Sequence, residues 1–170
     1  MEAGRKLYEL RPERADTLVA EALAQMESQI RESGVEVELE ICEPSPAVLA
    51  DRNAVVETLL NLMRNAVKYG GSGGVLIIRV RSDGKRALID VEDHGPGIPR
   101  SELRRVFDKF YRGDAVRETR TLAGHGLGLA MARHVVKAHR GTIRLDSRVG
   151  HGARFTVDLP VIPGERALEV

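Results

Sequence analysis

Between residues 13 and 33, Leu18, Ala22, Met26 and Ile30 recur at every fourth position, the spacing of one apolar helix face. Gly34 stops that helix, and Val35, Val37, Leu39 and Ile41 then alternate with Glu36, Glu38 and Glu40. A period of two with one charged side predicts a half-buried strand over 35–42. Pro44 and Pro46 break the chain. Asp51 is placed to cap a second helix running to about Tyr69, and the glycine-rich run 70–74 ends it. Strands are expected over 75–81 and 86–92, a hairpin around Ser82-Asp83-Gly84-Lys85. A loop rich in Gly and Pro follows, then a short helical piece near 101–106. The stretch 112–123 is polar without periodicity and predicts a mobile segment. A third long helix spans 127–139, with Gly141 at its C-terminal end. A second hairpin joins 142–147 to 153–159 around Val149-Gly150-His151-Gly152. Both hairpins need one covered face, which predicts an α/β fold: a two-layer sandwich with three long helices on one face of a mixed sheet. Residues 1–12 read as a linker, 13–162 as the domain and 163–170 as a tail.

A chain of 170 residues with 42% hydrophobic positions can bury one core. Its formal charge of +1 gives no basis for nucleic acid or acidic lipid as the main partner. Three Phe, three Tyr and no Trp offer no ladder of stacking platforms for single-stranded nucleic acid. No apolar run approaches the roughly 20 residues of a membrane helix, and residues 1–10 lack the apolar stretch of a signal peptide. The chain as it stands is therefore expected to be soluble. A single cysteine, Cys42, excludes an internal disulfide and a zinc cage. It reads as a small buried apolar residue of its strand.

In the second helix Val56, Leu59, Leu60, Met63 and Val67 form the core stripe, while Asn61, Asn65 and Lys68 share an arc pointing away from it. Such an arc suits a solvated face. It equally suits Mg²⁺ held by a neutral amide oxygen, with a lysine for the phosphates, and asparagine is a poor choice for a plain wet helix. Asp93 continues the core-facing period of Ile89 and Val91, where a carboxylate is costly unless something donates to it. A purine exocyclic amine would be such a donor, and Gly95 and Gly97 would let the backbone approach a flat ring. An ordinary Asp-x-Gly turn is the plainer alternative. Gly124-His125-Gly126-Leu127-Gly128-Leu129 opens the third helix with exposed N–H groups, a phosphate cradle. The segment before it is polar rather than a strand, which excludes a Rossmann motif, and no Gly-x-x-x-x-Gly-Lys-Ser/Thr occurs. A phosphate site flanked by a lid remains.

In this order, these segments resemble the catalytic and ATP-binding domain of sensor histidine kinases, within the wider ATPase family that includes DNA gyrase and MutL. Asn61-Leu62-Met63-Arg64-Asn65-Ala66-Val67-Lys68-Tyr69 is similar to the N box, and Asp93-His94-Gly95-Pro96-Gly97-Ile98 to the G1 box. Val106-Phe107-Asp108-Lys109-Phe110-Tyr111-Arg112-Gly113 resembles the F box, residues 124–129 the G2 box, and Gly150-His151-Gly152-Ala153-Arg154-Phe155 the last glycine motif. The resemblance implies the Bergerat ATP-binding fold with a left-handed βαβ unit. ATP (or ADP) and Mg²⁺ are the implied ligands, and phosphoryl transfer to a histidine the implied reaction. By it, Asn65 holds Mg²⁺, Asn61 lies beside the phosphates, and Lys68 and Tyr69 touch phosphate and nucleotide. Asp93 accepts from adenine N6, and Gly95, Gly97 and Ile98 shape the base pocket. Gly124, His125, Gly126, Leu127, Gly128 and Leu129 surround the phosphates, and Lys109 or Arg112 steadies the transferring group.

The hydrolytic relatives carry a Glu where this chain has Asn61, which cannot act as a base. Phosphoryl transfer depends on placement and charge neutralisation, so a protein acceptor is favoured, with the base on the acceptor's side. None of His94, His125, His134, His139 and His151 precedes an acidic residue in a phosphoacceptor context. The acceptor is therefore expected on a separate dimerisation domain of the same full-length protein, reached through the linker, with a response regulator downstream. His94 and His125 are expected to line the site, His134 to be packed or half-buried, and His139 to make a helix-dipole contact. Phe107 and Phe110 are expected to anchor the lid in the core. The domain is expected to be cytoplasmic and monomeric, without membrane contact of its own, in a full-length protein that an inner-membrane anchor would suit. A serine kinase of the anti-sigma-factor type and a nucleotide-sensing module without catalysis are the alternatives.

Overall fold

A computed structural model describes residues 6–70, 74–109 and 128–164. The chain enters through strand β1 (Arg11–Arg14), and helices α1 (Ala15–Gln25) and α2 (Glu27–Ser33) follow. Strands β2 (Glu36–Ile41) and β3 (Ala47–Ala50) precede the long helix α3 (Arg52–Tyr69). Strands β4 (Val75–Ser82) and β5 (Arg86–Asp93) form the first hairpin. Helix α4 (Gly128–Ala138) leads to the second, β6 (Thr142–Ser147) with β7 (Ala153–Pro160). The main sheet has the order β2-β4-β5-β7-β6, with β2 parallel to β4 and every other neighbour antiparallel.

Period-two alternation gives this sheet two unlike faces. Leu76, Ile78 and Val80 of β4, Ala87, Ile89 and Val91 of β5, and Phe155, Val157 and Leu159 of β7 are buried with α1 and α3 in one core. The opposite face is laced with ion pairs: Arg79 with Glu40 and Glu92, Arg81 with Asp90, and Arg86 with Asp158. Among the described residues this is the expected sandwich, the helices on the apolar face, with one helix more than expected. Among the described residues no helix is long and apolar enough to cross a membrane.

The extra helix comes from a break at Met26, whose backbone (φ −100°, ψ 2°) leaves the helical region. Met26 is buried at 1% exposure, whereas α2 has no buried residue. The fourfold apolar spacing continues through Ile30, which packs only half-buried at the margin of the core, and the polar α2 turns off. The region around 101–106 is a chain of turns, not a short helix. Glu102, Arg105 and Asp108 donate to Pro99, Glu102 and Arg105, bonds three residues apart with no fourth-residue ladder among them. Val106 is the one residue of this segment that the core buries.

A second small sheet pairs β1 with β3, from Arg11↔Ala50 to Arg14↔Ala47. Pairing therefore begins inside the span expected as linker. Val161 bridges to Val48 and Ile162 donates to the Ala47 carbonyl, so β3 ties the chain's two outer segments together. Neither β1 nor β3 has a run long enough to announce itself in the sequence.

Candidate functional site

Helix α3 sets the frame. Asp51 caps it by accepting from the Ala54 N–H at 3.1 Å, as its position before the first apolar turn predicts. Leu59, Leu60, Leu62 and Met63 are each at most 1% exposed, because α3 packs on the sheet and against both α1 and α4. The helix ends at Gly70, against the end of β5. A Cβ on Gly70 would overlap the Asp93 side chain, and one on Gly95 would overlap the Gly70 Cα and the Tyr69 carbonyl. Glycine there lets two backbones meet around one carboxylate.

That carboxylate is buried as expected, Asp93 being 8% exposed. Its Oδ1 accepts from the Gly95 N–H at 2.9 Å. Burial pushes the Asp93 carboxyl above the ordinary aspartate range, and backbone N–H groups of Gly95 and Ala153 oppose that shift without cancelling it. Loop 94–99 is held on its other side by the β6–β7 turn. Gly150 donates to the Pro96 carbonyl at 2.8 Å, the Ile98 N–H donates to Ser147 Oγ at 2.8 Å, and Gly97 (φ +76°) has no room for a Cβ beside the Arg148 carbonyl. Asp93, Gly95, Gly97 and Ile98 therefore form one tightly packed, hydrogen-bonded unit with Gly70.

The middle of α3 meets the start of α4. Asn61 Nδ2 lies 3.4 Å from the Gly128 carbonyl oxygen, a long hydrogen bond that brings an α3 amide to the first turn of α4. First-turn N–H groups of a helix lack intrahelical partners and face anions favourably. Leu129 packs its side chain on the core, which leaves its backbone for such a role. Asn65, one turn on, is half-buried, and no described residue hydrogen-bonds its amide. A free, neutral, hard oxygen completed by phosphate and water oxygens suits Mg²⁺. No group of three His, Cys, Asp or Glu among the described residues could hold a metal, so Asn65 has no carboxylate-rich competitor there. Lys68 is half-buried with its ammonium 5.2 Å from the centroid of the Tyr69 ring, and that ring is 38% exposed. Lys109 is exposed at the end of the turn series. Arg112, Gly124, His125, Gly126 and Leu127 lie outside the described residues, as does Phe110.

From Asn61 to Tyr69 the helix rises roughly 12 Å at 1.5 Å per residue. A buried acceptor at one end and amides beside a helix start at the other match the layout of an extended nucleotide, base first and phosphates last. Glu57, the carboxylate one turn before Asn61, is exposed and ion-paired to Arg64 at 3.1 Å.

Two histidine expectations are corrected. His94 does not line the site: just past the end of β5 it turns to the polar face beside Glu92, its Nε2 3.5 Å from that carboxylate. His134 is exposed rather than packed, since α4 turns Ala132, Val135 and Val136 inward instead. His139 makes the expected contact with the C-terminal turn of α4, and does so as a buried clasp, at 4% exposure. Its Nδ1 bonds the Val135 carbonyl at 2.7 Å, its Nε2 accepts from the Asp51 N–H at 3.0 Å, and the Tyr8 ring tilts against it. Accepting from a backbone N–H requires a bare Nε2, so the ring is the neutral Nδ1–H tautomer. Cys42 is half-buried rather than buried, on the edge strand's far end. Phe107 does anchor its segment, edge-on to Phe155 at 6.0 Å with the Arg133 guanidinium 5.8 Å from its ring. Gly70 and Ser147 were not legible as site residues: one reads as a helix stop and the other as the end of an edge strand. Their roles arise from segments distant in sequence.

The family described as histidine kinase-, DNA gyrase B- and HSP90-like ATPase matches residues 50–163. The chain is 38% identical over 148 residues to the sensor-like histidine kinase SenX3 of Mycobacterium tuberculosis, covering 86% of this chain and 35% of that one. It is 43% identical over 112 residues to the sensor histidine kinase WalK of Bacillus subtilis, covering 65% and 18%. It thus spans about a third of SenX3 and less than a fifth of WalK. Among solved structures it is similar to full-length ShkA in complex with AMPPNP (TM-score 0.81, 29% identity, 94% of this chain and 32% of that one). It is also similar to the catalytic domain of the histidine kinase ThkA (TM-score 0.78, 26% identity, 91% and 99%).

Proposed function

The chain belongs to the histidine kinase-, DNA gyrase B- and HSP90-like ATPase family, and from that premise we propose that it binds Mg-ATP and delivers the γ-phosphate to a histidine of a separate dimerisation domain. The observation that carries this reading is the pairing on α3 of Asn61, set against the start of α4, with the buried Asp93 beside its C-terminal end. Asp93 accepts from the adenine amine. Asn65 would hold Mg²⁺, which supplies charge neutralisation at the phosphates. Asn61 and the α4 amides orient the phosphate chain, with Lys68, Tyr69 and either Lys109 or Arg112 around it, and residues 124–127 complete the cradle. Transfer rather than hydrolysis is favoured because Asn61 cannot activate water and Glu57 is turned away to Arg64. The acceptor imidazole forms the new P–N bond as the bond to the ADP oxygen breaks.

In this reading residues 1–12 connect to the dimerisation domain, 13–162 carry the nucleotide chemistry and 163–170 are a tail. The isolated domain is monomeric and cytoplasmic. The phosphate passes onward to a response regulator, and an inner-membrane anchor belongs to the rest of the full-length protein. ShkA was solved with AMPPNP bound, which supports the nucleotide assignment here.

The test is transfer of radiolabel from γ-labelled ATP, with Mg²⁺, to the dimerisation domain of the same full-length protein supplied separately. Acid-labile label on that domain is expected. Acid-stable label would point to a serine kinase of the anti-sigma-factor type, and tight nucleotide binding without any transfer would leave a sensing module.

A further inference from the structure

Ser147 ends the edge strand β6, a position with no evident chemistry. Its hydroxyl nevertheless makes two bonds of opposite sense. Oγ accepts from the Ile98 N–H at 2.8 Å and donates to the Gly152 carbonyl at 2.6 Å. The first pins loop 94–99, whose Gly95 N–H binds Asp93 Oδ1. The second pins Gly152, which packs directly under Asp93. Gly152 (φ +74°) sits so tightly there that a Cβ would overlap the Asp93 backbone carbonyl, so this contact has no slack. One hydroxyl therefore braces both the loop whose N–H bonds the buried carboxylate and the glycine packed under its backbone.

We infer that Ser147 is the positioning residue of the base pocket, setting the direction of the Asp93 carboxylate, and hence adenine selectivity, through the Ile98 and Gly152 backbone. The inference rests on the reading of Asp93 as the base acceptor. Ser147 touches no nucleotide itself. Thr keeps the hydroxyl and suits a strand, Ala removes both bonds, and Cys keeps the shape with a weak donor.

The experiment is a double-mutant cycle on the 170-residue chain, titrating ADP and GDP with Mg²⁺ by calorimetry. Ser147→Ala is expected to raise the Kd for ADP about tenfold, the scale of one lost net hydrogen-bond contribution, and to change GDP little. Ser147→Thr should restore ADP binding to within about threefold of the parent. In an Asp93→Asn background, Ser147→Ala should cost less than about twofold, because the carboxylate it aims is gone. Equal losses in both backgrounds, or equal losses for ADP and GDP, would reduce Ser147 to a general structural contact and overturn the inference. If Asp93→Asn alone leaves ADP affinity unchanged, the base-acceptor reading falls first and takes this one with it. Should Ser147→Ala fail to fold, Ser147→Cys runs the same cycle with the same expected pattern.

Discussion

Asp93 shows how a site residue can oppose the fold that carries it. Burial drives its carboxyl upward, so its folded-state pKa lies above the unfolded value of about 3.9. Its contribution to stability is therefore full below about pH 3.9 and is lost as pH rises through the elevated value. The stability of the parent minus that of Asp93→Asn should accordingly fall as pH rises above about 4 and level off once the raised value is passed; urea melts at a series of pH values measure it. A difference independent of pH would show that burial does not penalise the charge. The same substitution should weaken ADP by about 1–3 kcal/mol and narrow its preference over GDP. Stability gained and selectivity lost by one change would mark a residue kept for binding. Asp90, on the open face at 1% exposure, is the contrasting case. Burial raises it too, but Arg81, bonding both its oxygens, and Thr156 at 2.7 Å outweigh that and hold it below the usual range. It is a paired structural carboxylate, and no ligand is needed to explain it.

At the scale of elements, α3 carries the site because both of its ends are held. Asp51 caps the first turn and also accepts from the Glu9 N–H at 3.0 Å, joining helix and entering segment. Burial pushes the Asp51 carboxyl up, yet the Ala54 and Glu9 N–H groups leave it net below the usual range. Its sign is opposite to that of Asp93: the stability is present above about pH 3.9 and lost as pH falls through the depressed value. Asp51→Ala should lower unfolding free energy by about 0.5–2 kcal/mol near neutrality, shifting the urea midpoint with little change in slope. That loss should shrink under acid. An unchanged midpoint would mean that β1–β3 pairing and the His139 clasp fix this end of α3 without the cap.

For the molecule as a whole, nucleotide binding and folding should be coupled, since the site is assembled from α3, the β5 end, the β6–β7 turn and α4. Mg-ADP at a hundredfold excess over its Kd should add about 2.7 kcal/mol, a rise in Tm of roughly 5–10 °C at about 2–4 °C per kcal/mol for a domain of this size. EDTA should remove much of that rise in the parent and little of the smaller rise in Asn65→Ala. An equal EDTA effect in both would place the metal on other ligands. A loss confined to magnesium sensitivity would separate the phosphate half of the site from its base half.

Periodicity alone placed α3, both hairpins and the helix-covered face, because burial of apolar side chains at periods of 3.6 and 2 is a local property of the chain. The alignment of Asp93 with Ile89 and Val91, and the arc of Asn61, Asn65 and Lys68, were legible for the same reason. The break at Met26, the β1–β3 pairing and the turns around 101–106 were not, since each depends on where the core ends or on a partner far away in sequence. Only tertiary contacts turned Ser147 into a clamp, made Gly70 a clearance for Asp93, buried His139 and faced His94 away from the cleft. Hydrogen-bond partners and steric clearance are set by segments meeting in space, and a one-dimensional pattern does not encode which segments meet.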